Sequence, residues 1–307
     1  MLSLLGFNDK NLIPIDERFN TSVTVRGENV YIKGIVEEVE AVEKVFKEMA
    51  YVLNTTNTLK TADVETIIDL TVLGREIISE KEYDNIILYT KKDVIKAKTP
   101  TQIKYIESVK KNDICFAVGP AGTGKTYLAV AFAVASLKKG SVRKIVLARP
   151  AVEAGESLGF LPGDFKEKVD PYLKPLYDSL QDMIPAEQLK GYIEKEIIEI
   201  VPLAYMRGRT LNNSFVILDE AQNSTSLQME MFLTRLGPNS KAIITGDVTQ
   251  IDLPHNTKSG LVQVQQILRG VDGVSFIYFD REDVVRHKLV KDIIFAYEEY
   301  NKENGKG

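Results

Sequence analysis

Apolar residues occur along this chain in short runs that alternate with longer stretches of helical period. Beyond residue 113 the runs have the length of strands, and the stretches between them place apolar side chains three or four positions apart. This alternation predicts an α/β domain with a largely parallel sheet, because a helix between two strands returns the chain to the same end of the sheet. Unbroken apolar runs indicate that helices cover both faces of that sheet. The predicted strands are residues 114–118, 144–148, 197–201, 214–218, 241–245 and 274–278.

The first third of the chain has a different pattern. Residues 22–26 and 30–34 flank a turn that contains Gly27, which predicts two short strands. Residues 35–53 and about 62–78 then have apolar positions at helical spacing, which predicts two helices. A small α+β unit therefore precedes the larger domain.

Composition changes near residue 95. The segment 91–100 is charged and closed by Pro100, which predicts a strand-poor linker. We therefore place a small α+β domain at residues 1–95 and the α/β domain at 96–307. Residues 1–98 carry 17 acidic and 13 basic side chains, whereas the remainder carries 26 of each. The net charge of −4 argues against a protein that coats nucleic acid by bulk electrostatics.

The chain shows no signs of export or membrane insertion. Its single cysteine, Cys115, lies in a predicted strand and cannot form a disulfide within one chain. The longest apolar stretch, residues 127–137, is too short to span a bilayer, and the apolar residues 1–7 lack a basic leader. We expect a cytoplasmic protein without membrane contact. His255 and His287 have no metal-ligand spacing.

The most specific motif follows the first strand of the α/β domain and matches G-x-x-x-x-G-K-[ST]. Its members are Gly119, Pro120, Ala121, Gly122, Thr123, Gly124, Lys125 and Thr126. Glycines allow backbone N–H groups to close around phosphate oxygens, and the following helix N-terminus favours an anion. We expect Lys125 to contact the β- and γ-phosphates of a nucleotide and the Thr126 hydroxyl to hold Mg²⁺.

Two carboxylates, Asp219 and Glu220, follow the apolar strand 214–218. We expect Asp219 to hold the magnesium ion, directly or through water, and Glu220 to orient and deprotonate the attacking water. An Asp-Glu pair at a strand end can also be a solvated turn. Its position downstream of a phosphate loop favours the hydrolytic interpretation.

The strand 241–245 is followed by Gly-Asp-Val-Thr-Gln. This pattern resembles the nucleotide-state sensor of helicase-type motors, in which a glutamine contacts the γ-phosphate and the attacking water. We therefore expect Gln250, rather than Asp247, to make that contact. The alternative is a polar turn without a ligand.

Gln102 begins a helical stretch seventeen residues before the phosphate loop. A glutamine amide can pair with N6 and N7 of adenine. The position resembles the adenine-reading glutamine of helicase motors, and a surface residue near a helix start is an equal alternative.

Hydrolysis also needs a cation for the charge that develops on the phosphoryl oxygens, often supplied by a neighbouring subunit. We take Arg286, beside His287, as the catalytic candidate, although the pattern alone does not choose among five arginines. The candidates are Arg149, Arg207, Arg209, Arg235 and Arg286.

These motifs, together with segments 149–163, 202–210 and 283–290, closely resemble the PhoH-like family of bacterial ATPases over about residues 99–300. The resemblance implies a core related to superfamily-one helicase motors, Mg²⁺-dependent ATP hydrolysis and a link to RNA metabolism and ribosome biogenesis. It also implies ring-shaped homo-oligomers, such as hexamers.

By the same resemblance, segment 202–210 lies where related motors contact single-stranded nucleic acid. Arg207 and Arg209 are therefore candidate phosphate contacts, a role that competes with that of the catalytic cation. Tyr205 either stacks on a base or, as we favour, packs beside the sheet.

The first third is similar to a KH-type RNA-binding module, with residues 5–12 at the position of its backbone-clamping loop. A functional loop has the pattern Gly-x-x-Gly, but here Gly6 is followed at the fourth position by Asp9. An acidic group there would repel phosphate. We therefore expect the KH-like fold without RNA binding, in a docking or oligomer-contact role.

Three functions fit these patterns. The leading hypothesis is a Mg²⁺-dependent ATPase that couples hydrolysis to work on RNA or a ribonucleoprotein. The alternative is a nucleotide-gated assembly factor or signalling switch that acts on a protein partner without RNA contact. A small-molecule kinase is disfavoured, because Glu220 next to Asp219 suits the activation of water.

Overall fold

The computed structural model describes most of the chain, in segments separated by short gaps. The described residues are 2–56, 58–72, 85–90, 93–150, 165–254, 256–285, 289–290 and 293. The helices are α1 (Leu2–Leu5), α2 (Ile13–Arg18), α3 (Val36–Thr56), α4 (Thr61–Val72), α5 (Pro100–Lys111), α6 (Lys125–Lys139), α7 (Phe165–Met183), α8 (Ala186–Glu194), α9 (Ser226–Leu233) and α10 (Gly260–Ile267). The strands are β1 (Ser22–Arg26), β2 (Asn29–Lys33), β3 (Ile86–Tyr89), β4 (Val94–Lys96), β5 (Ile114–Val118), β6 (Lys144–Arg149), β7 (Ile198–Pro202), β8 (Ser214–Leu218), β9 (Lys241–Gly246) and β10 (Val274–Tyr278).

Six strands form one parallel sheet in the order β10-β5-β9-β8-β6-β7. All six strands predicted from the sequence are present, each within one residue of its expected limits. The predicted α/β fold class is therefore confirmed. Because the strands are parallel, β5, β9 and β8 end side by side at the same edge, which is where such sheets bind ligands.

Alternating side chains of each strand enter two separate hydrophobic clusters. Cys115 and Ala117 of β5 face the cluster formed with α5, α6, α7 and α8. Phe116 and Val118 face the opposite cluster, formed with α9 and α10. Phe116 also stacks on Phe276 of β10, with ring centroids 4.5 Å apart. Helices therefore cover both faces, as the unbroken apolar strands predict.

The first third forms its own apolar cluster. Strands β1 and β2 pair antiparallel, and their three half-buried valines and Ile32 pack beside α3 and α4. The two predicted strands and the helix over 35–53 are confirmed, with α3 continuing to Thr56. Helix α4 is described only to Val72, so the remainder of the predicted second helix lies outside the described residues. The similarity to a KH module stays a prediction.

The expectation of a strand-poor linker over 91–100 is wrong at β4, which pairs antiparallel with β3. Ile95 of β4 and Leu88 of β3 are buried in the core of the α/β layer, so this hairpin packs against the larger sheet's helices. Only one side chain of this three-residue strand is buried, which leaves too little alternation for the sequence to reveal it. The domain boundary at residue 95 stays a prediction.

Within the described part of the chain, we find no helix with the length and apolar character needed to cross a membrane.

Candidate active site

The phosphate-loop motif forms a tight turn between β5 and α6. Gly119, Gly122 and Gly124 have φ angles of 149°, 83° and 81°, a region that side chains rarely adopt. A Cβ atom on Gly119 would lie 2.3 Å from the carbonyl oxygen of Phe279, so only glycine fits there. The loop therefore presents bare backbone at the N-terminus of α6, the end of a helix that attracts anions.

Lys125 is buried at the first position of α6. Its ammonium group donates hydrogen bonds to the carbonyl oxygens of Gly119 and Pro120, over 2.7 Å and 2.6 Å, and to Thr123 Oγ1 over 3.3 Å. The charge thus lies inside the loop that would surround a phosphate. Phosphate oxygens bound there would compete with these neutral acceptors for the ammonium protons, and a charged acceptor forms the stronger hydrogen bond.

Thr126 and Asp219 are brought together from the two motifs. The Thr126 hydroxyl donates to Asp219 Oδ1 over 2.7 Å. Thr245, at the end of β9, donates to the same oxygen over 2.8 Å and is fully buried. A threonine hydroxyl beside a buried carboxylate is the donor set that Mg²⁺ prefers, and the ion takes its remaining ligands from phosphate and water. Among the described residues no cluster of three or more His, Cys, Asp and Glu side chains could hold a metal without such help.

Thr245 was not among the predicted site residues. The signal available for it was one hydroxyl in the otherwise apolar run that fills β9.

Glu220 follows Asp219 in a left-handed backbone conformation, with φ 51° and ψ 39°. Such a conformation is strained for a residue with a side chain and is often associated with functional sites. The side chain of Glu220 is 38% exposed, whereas that of Asp219 is 5% exposed. The Asp–Glu pair therefore separates into one buried carboxylate beside the phosphate loop and one that solvent can reach, as a metal ligand and a base for water require.

Arg149, at the end of β6, lies beside both carboxylates. Its guanidinium nitrogens are 3.7 Å from Asp219 Oδ2 and 3.6 Å from Glu220 Oε1. The guanidinium is largely shielded from solvent. Arg149 is therefore a cation of the same subunit that lies among the site residues, close enough to be a candidate for charge stabilisation.

Gln250 lies in the turn after β9 and its side chain folds back, because Gln250 Nε2 donates to Asp247 Oδ2 over 2.8 Å. The buried Gln222 joins this turn to the acidic pair: its Nε2 donates to Glu220 Oε2 over 2.6 Å and to the Gln250 carbonyl over 3.1 Å. Its Oε1 accepts the Asp247 backbone N–H over 3.0 Å. Gln222 was not singled out from the sequence, although it lies two residues after Glu220. The γ-phosphate contact of Gln250 stays a prediction.

Gln102 is buried beneath the phosphate loop. Its Nε2 donates to the Thr123 carbonyl over 2.9 Å, and its Oε1 accepts the Lys98 backbone N–H over 2.6 Å. These bonds give the amide a role in supporting the loop. Contact with adenine stays a prediction.

The segment after β10 returns to the phosphate loop. Thr99 donates to Asp283 over 2.5 Å, and the Val285 N–H donates to the Gly122 carbonyl over 2.9 Å. Arg286 follows at once but lies outside the described residues, as do His255 and His287. Its catalytic role stays a prediction.

The remaining candidate arginines lie near the edge strand β7 and helix α9. Arg207 is exposed in the loop after the 3₁₀ turn Leu203–Met206. Arg235 donates to the Met231 and Arg209 carbonyls over 2.9 Å and 3.2 Å, which gives it a structural role at the end of α9. Tyr205 lies in the same 3₁₀ turn and is 55% exposed. Packing beside the sheet, the role that we favour for it, would therefore leave about half of its surface in contact with solvent.

Arg209 pairs with Glu199 of β7 over 2.7 Å, and Lys144 of β6 bonds the second oxygen of the same carboxylate. Burial of Glu199 opposes its ionisation, but the hydrogen bonds from Lys144 and Arg209 outweigh this effect, and the pKa of Glu199 is lowered. Arg209 is therefore a partner of an internal carboxylate, whereas Arg207 extends into solvent.

The parallel sheet, the glycine loop between β5 and α6, and the acidic pair after β8 together define a P-loop NTPase fold. Comparison with known proteins gives the particular family. The family model described as "PhoH-like protein" matches residues 94–298. The chain belongs to this PhoH-like family, as its motifs predict.

Relatives in several bacteria resemble most of the chain. It is 50% identical over 301 residues to a PhoH-like protein of Bacillus subtilis (strain 168). This match covers 98% of this chain and 94% of the relative. It is 43% identical over 298 residues to a PhoH-like protein of Synechocystis sp. (strain ATCC 27184 / PCC 6803 / Kazusa). This match covers 97% of this chain and 91% of the relative. It is also 43% identical over 205 residues to Protein PhoH of Escherichia coli (strain K12). This match covers 66% of this chain and 58% of the relative.

Proposed function

We propose that this protein binds ATP with Mg²⁺, hydrolyses it, and couples hydrolysis to the remodelling of RNA or a ribonucleoprotein in the cytoplasm. The observation that carries the hydrolytic part is the bond between Thr126 and Asp219, 2.7 Å long, which joins the phosphate loop to the acidic pair. A site that only bound nucleotide and Mg²⁺ would need Asp219 alone, without the exposed carboxylate of Glu220 next to it. A site that also cleaves phosphate needs a metal ligand and a base side by side.

Each site residue has a distinct role in the proposed hydrolysis. The backbone of 119–124 and the Lys125 ammonium bind the phosphates of ATP. When bound at Thr126 and Asp219, Mg²⁺ neutralises charge on the phosphate oxygens. Glu220 accepts a proton from water, and Arg149 lies near enough to stabilise the charge that develops. The side chain of Glu220 is 38% exposed and can meet bulk water, whereas that of Asp219 is only 5% exposed.

The proposed RNA contact is supported by two exposed side chains that follow the edge strand β7. Arg207 is exposed and Tyr205 is 55% exposed, both in the loop that follows β7. An exposed cation beside an aromatic ring suits single-stranded nucleic acid, because the cation contacts phosphate and the ring stacks on a base. A ring-shaped homo-oligomer belongs to the same proposal, since a neighbouring subunit would supply a further cation.

The test of hydrolysis is phosphate release from ATP by the purified chain with Mg²⁺, with and without single-stranded RNA. We expect turnover in the wild type, its loss in Lys125→Ala, and a small but measurable residual rate in Glu220→Gln. Binding of a fluorescent ATP analogue should be lost in Lys125→Ala and kept in Glu220→Gln. A wild type without turnover, or Lys125→Ala at the wild-type rate, would exclude this function.

The test of RNA contact is the affinity for a fluorescent single-stranded RNA oligonucleotide at increasing salt. Arg207→Ala should weaken binding and flatten its salt dependence, because one phosphate contact is removed. The exposed Arg269, at the end of α10, provides a control with the same change of charge. Equal losses in Arg207→Ala and Arg269→Ala would indicate bulk electrostatics only.

The alternative is a nucleotide-gated switch that acts on a protein partner. It is favoured by Asp9, which has a φ angle of 54° at the position where a clamping loop has glycine. The loop keeps a left-handed conformation but carries an acidic group that repels phosphate. ATP binding without any RNA affinity at low salt would support this alternative.

A further inference from the structure

Gln222 makes three hydrogen bonds that connect two segments of the site. Its two amide protons bond Glu220 Oε2 and the Gln250 carbonyl, and its oxygen accepts the Asp247 N–H. Gln222 is buried, so water does not replace any of these bonds. The amide thereby ties the end of β8 to the turn after β9.

The neighbouring backbone is shaped to admit this amide. A Cβ atom on Gly246 would lie 2.7 Å from Gln222 Oε1 and 2.5 Å from Leu261 Cδ2. A side chain at this position would have to displace Leu261 or the Gln222 amide, so glycine leaves the space that the amide occupies. Gly246 has an ordinary backbone conformation, and its φ angle gives no other reason for glycine.

Glu220 needs such a support. Its left-handed backbone is strained, and its side chain is partly exposed. Arg149 is 3.6 Å from Glu220 Oε1, longer than a hydrogen bond, whereas Gln222 bonds Oε2 at 2.6 Å. The shorter and more directional contact is the one that sets the direction of the carboxylate.

We propose that Gln222 is a positioning residue: it fixes the Glu220 carboxylate and couples it to the segment 247–250, so that the two segments move as one. This inference rests on the proposed hydrolysis of ATP for its effect on rate. Its structural part, the link between the two segments, is tested without turnover.

Two substitutions at Gln222 separate the bonds. Gln222→Met keeps the length of the side chain and removes all three. Gln222→Glu keeps an acceptor for the Asp247 N–H, removes both donors and places a second carboxylate beside Glu220. We expect kcat to fall by about 10-fold to 100-fold in both variants, with KM and the affinity for a fluorescent ATP analogue unchanged. Gln265→Met is the matched control, because the Gln265 amide donates to the Leu261 carbonyl within its own helix, α10.

The kinetic test is completed by a double variant. If Gln222 acts through Glu220, then Gln222→Met should add no further loss to Glu220→Gln. Losses that multiply, an unchanged kcat in Gln222→Met, or a parallel loss of nucleotide affinity would overturn the proposal. A wild type that does not hydrolyse ATP would instead remove the proposed function.

Hydrogen–deuterium exchange tests the link itself. The peptide containing Asp247 should exchange faster in Gln222→Met than in the wild type, because its N–H has lost its acceptor. In Gln222→Glu, which keeps that acceptor, exchange should remain slow. If Gln222→Met leaves exchange at Asp247 unchanged, or both variants accelerate it equally, Gln222 does not couple these segments.

Discussion

Gln102 and Thr123 are joined by a hydrogen bond of 2.9 Å between the buried glutamine amide and the loop carbonyl. The bond connects the start of α5 to the phosphate loop. A Cβ atom on Gly124 would lie 3.1 Å from the same amide nitrogen, so the loop and Gln102 are in close contact. The position of the loop therefore depends on a residue outside the motif.

Gln102→Ala should weaken nucleotide binding through the loop. We expect ATP and GTP affinities to fall by the same factor, and the free energy of unfolding to fall by about 1–3 kcal/mol, because a buried carbonyl loses its donor. Titration of fluorescent ATP and GTP analogues, with urea unfolding, measures both effects. A loss confined to ATP would instead assign Gln102 to adenine recognition.

Asp219→Asn should separate nucleotide binding from hydrolysis. The amide oxygen can still accept from Thr126 and Thr245, but the side chain no longer offers a charge to Mg²⁺. We expect the rate to fall by about 100-fold or more, with nucleotide binding retained in the absence of metal. Rates measured over a series of Mg²⁺ concentrations test this. Full activity in this variant would show that the ion is held elsewhere.

Gly119→Ala should destabilise the protein as well as the loop. The added Cβ atom would lie 2.3 Å from the Phe279 carbonyl, and overpacking of this kind costs about 1–3 kcal/mol. Gly191→Ala, in α8, is the control, because nothing lies within 4 Å of its Cβ position. That variant should gain about 0.5–1 kcal/mol, since alanine loses less entropy in a helix. Thermal unfolding distinguishes the two, and equal effects would contradict the steric argument.

Glu199→Gln should destabilise the protein in a pH-dependent way. The pKa of Glu199 is lowered in the folded state, so its ionised form stabilises the fold above its ordinary value of 4.5. This contribution disappears as the pH falls through the lowered folded value. At neutral pH we expect a loss of about 1 kcal/mol. The difference between variant and wild type should shrink below the ordinary pKa, which urea unfolding across the acidic range measures. A difference that is constant with pH would exclude the ion pair as its cause.

The sequence predicted elements whose signal is local. Strand β8 is an apolar run closed by two acids, and β5 is an apolar run closed by a glycine motif, so both their limits and their order could be inferred. Strand β4 was not recognised, because a strand with one buried residue has no measurable alternation. Side-chain contacts were equally hidden. Thr99 and Asp283 are 184 positions apart, and no local pattern indicates that they bond.

The contacts of Gln222 could not be predicted from the sequence either, although the residue lies within a recognised motif. Its position after Glu220 is visible in the sequence, but the direction of its amide depends on the gap left by Gly246 in another strand. That gap is a property of packing between β8 and β9, and it becomes visible only once the strands are placed side by side.

The position of β9 between β5 and β8 has a consequence for the synthesis of the protein. The phosphate loop and the acidic pair both emerge from the ribosome before residue 241, yet their strands are not neighbours and lie about 10 Å apart, two strand spacings, in the finished sheet. A nascent chain that ends before Lys241 has no strand to hold them together. The phosphate loop and the acidic pair can therefore take up their final spacing only after β9 has been synthesised.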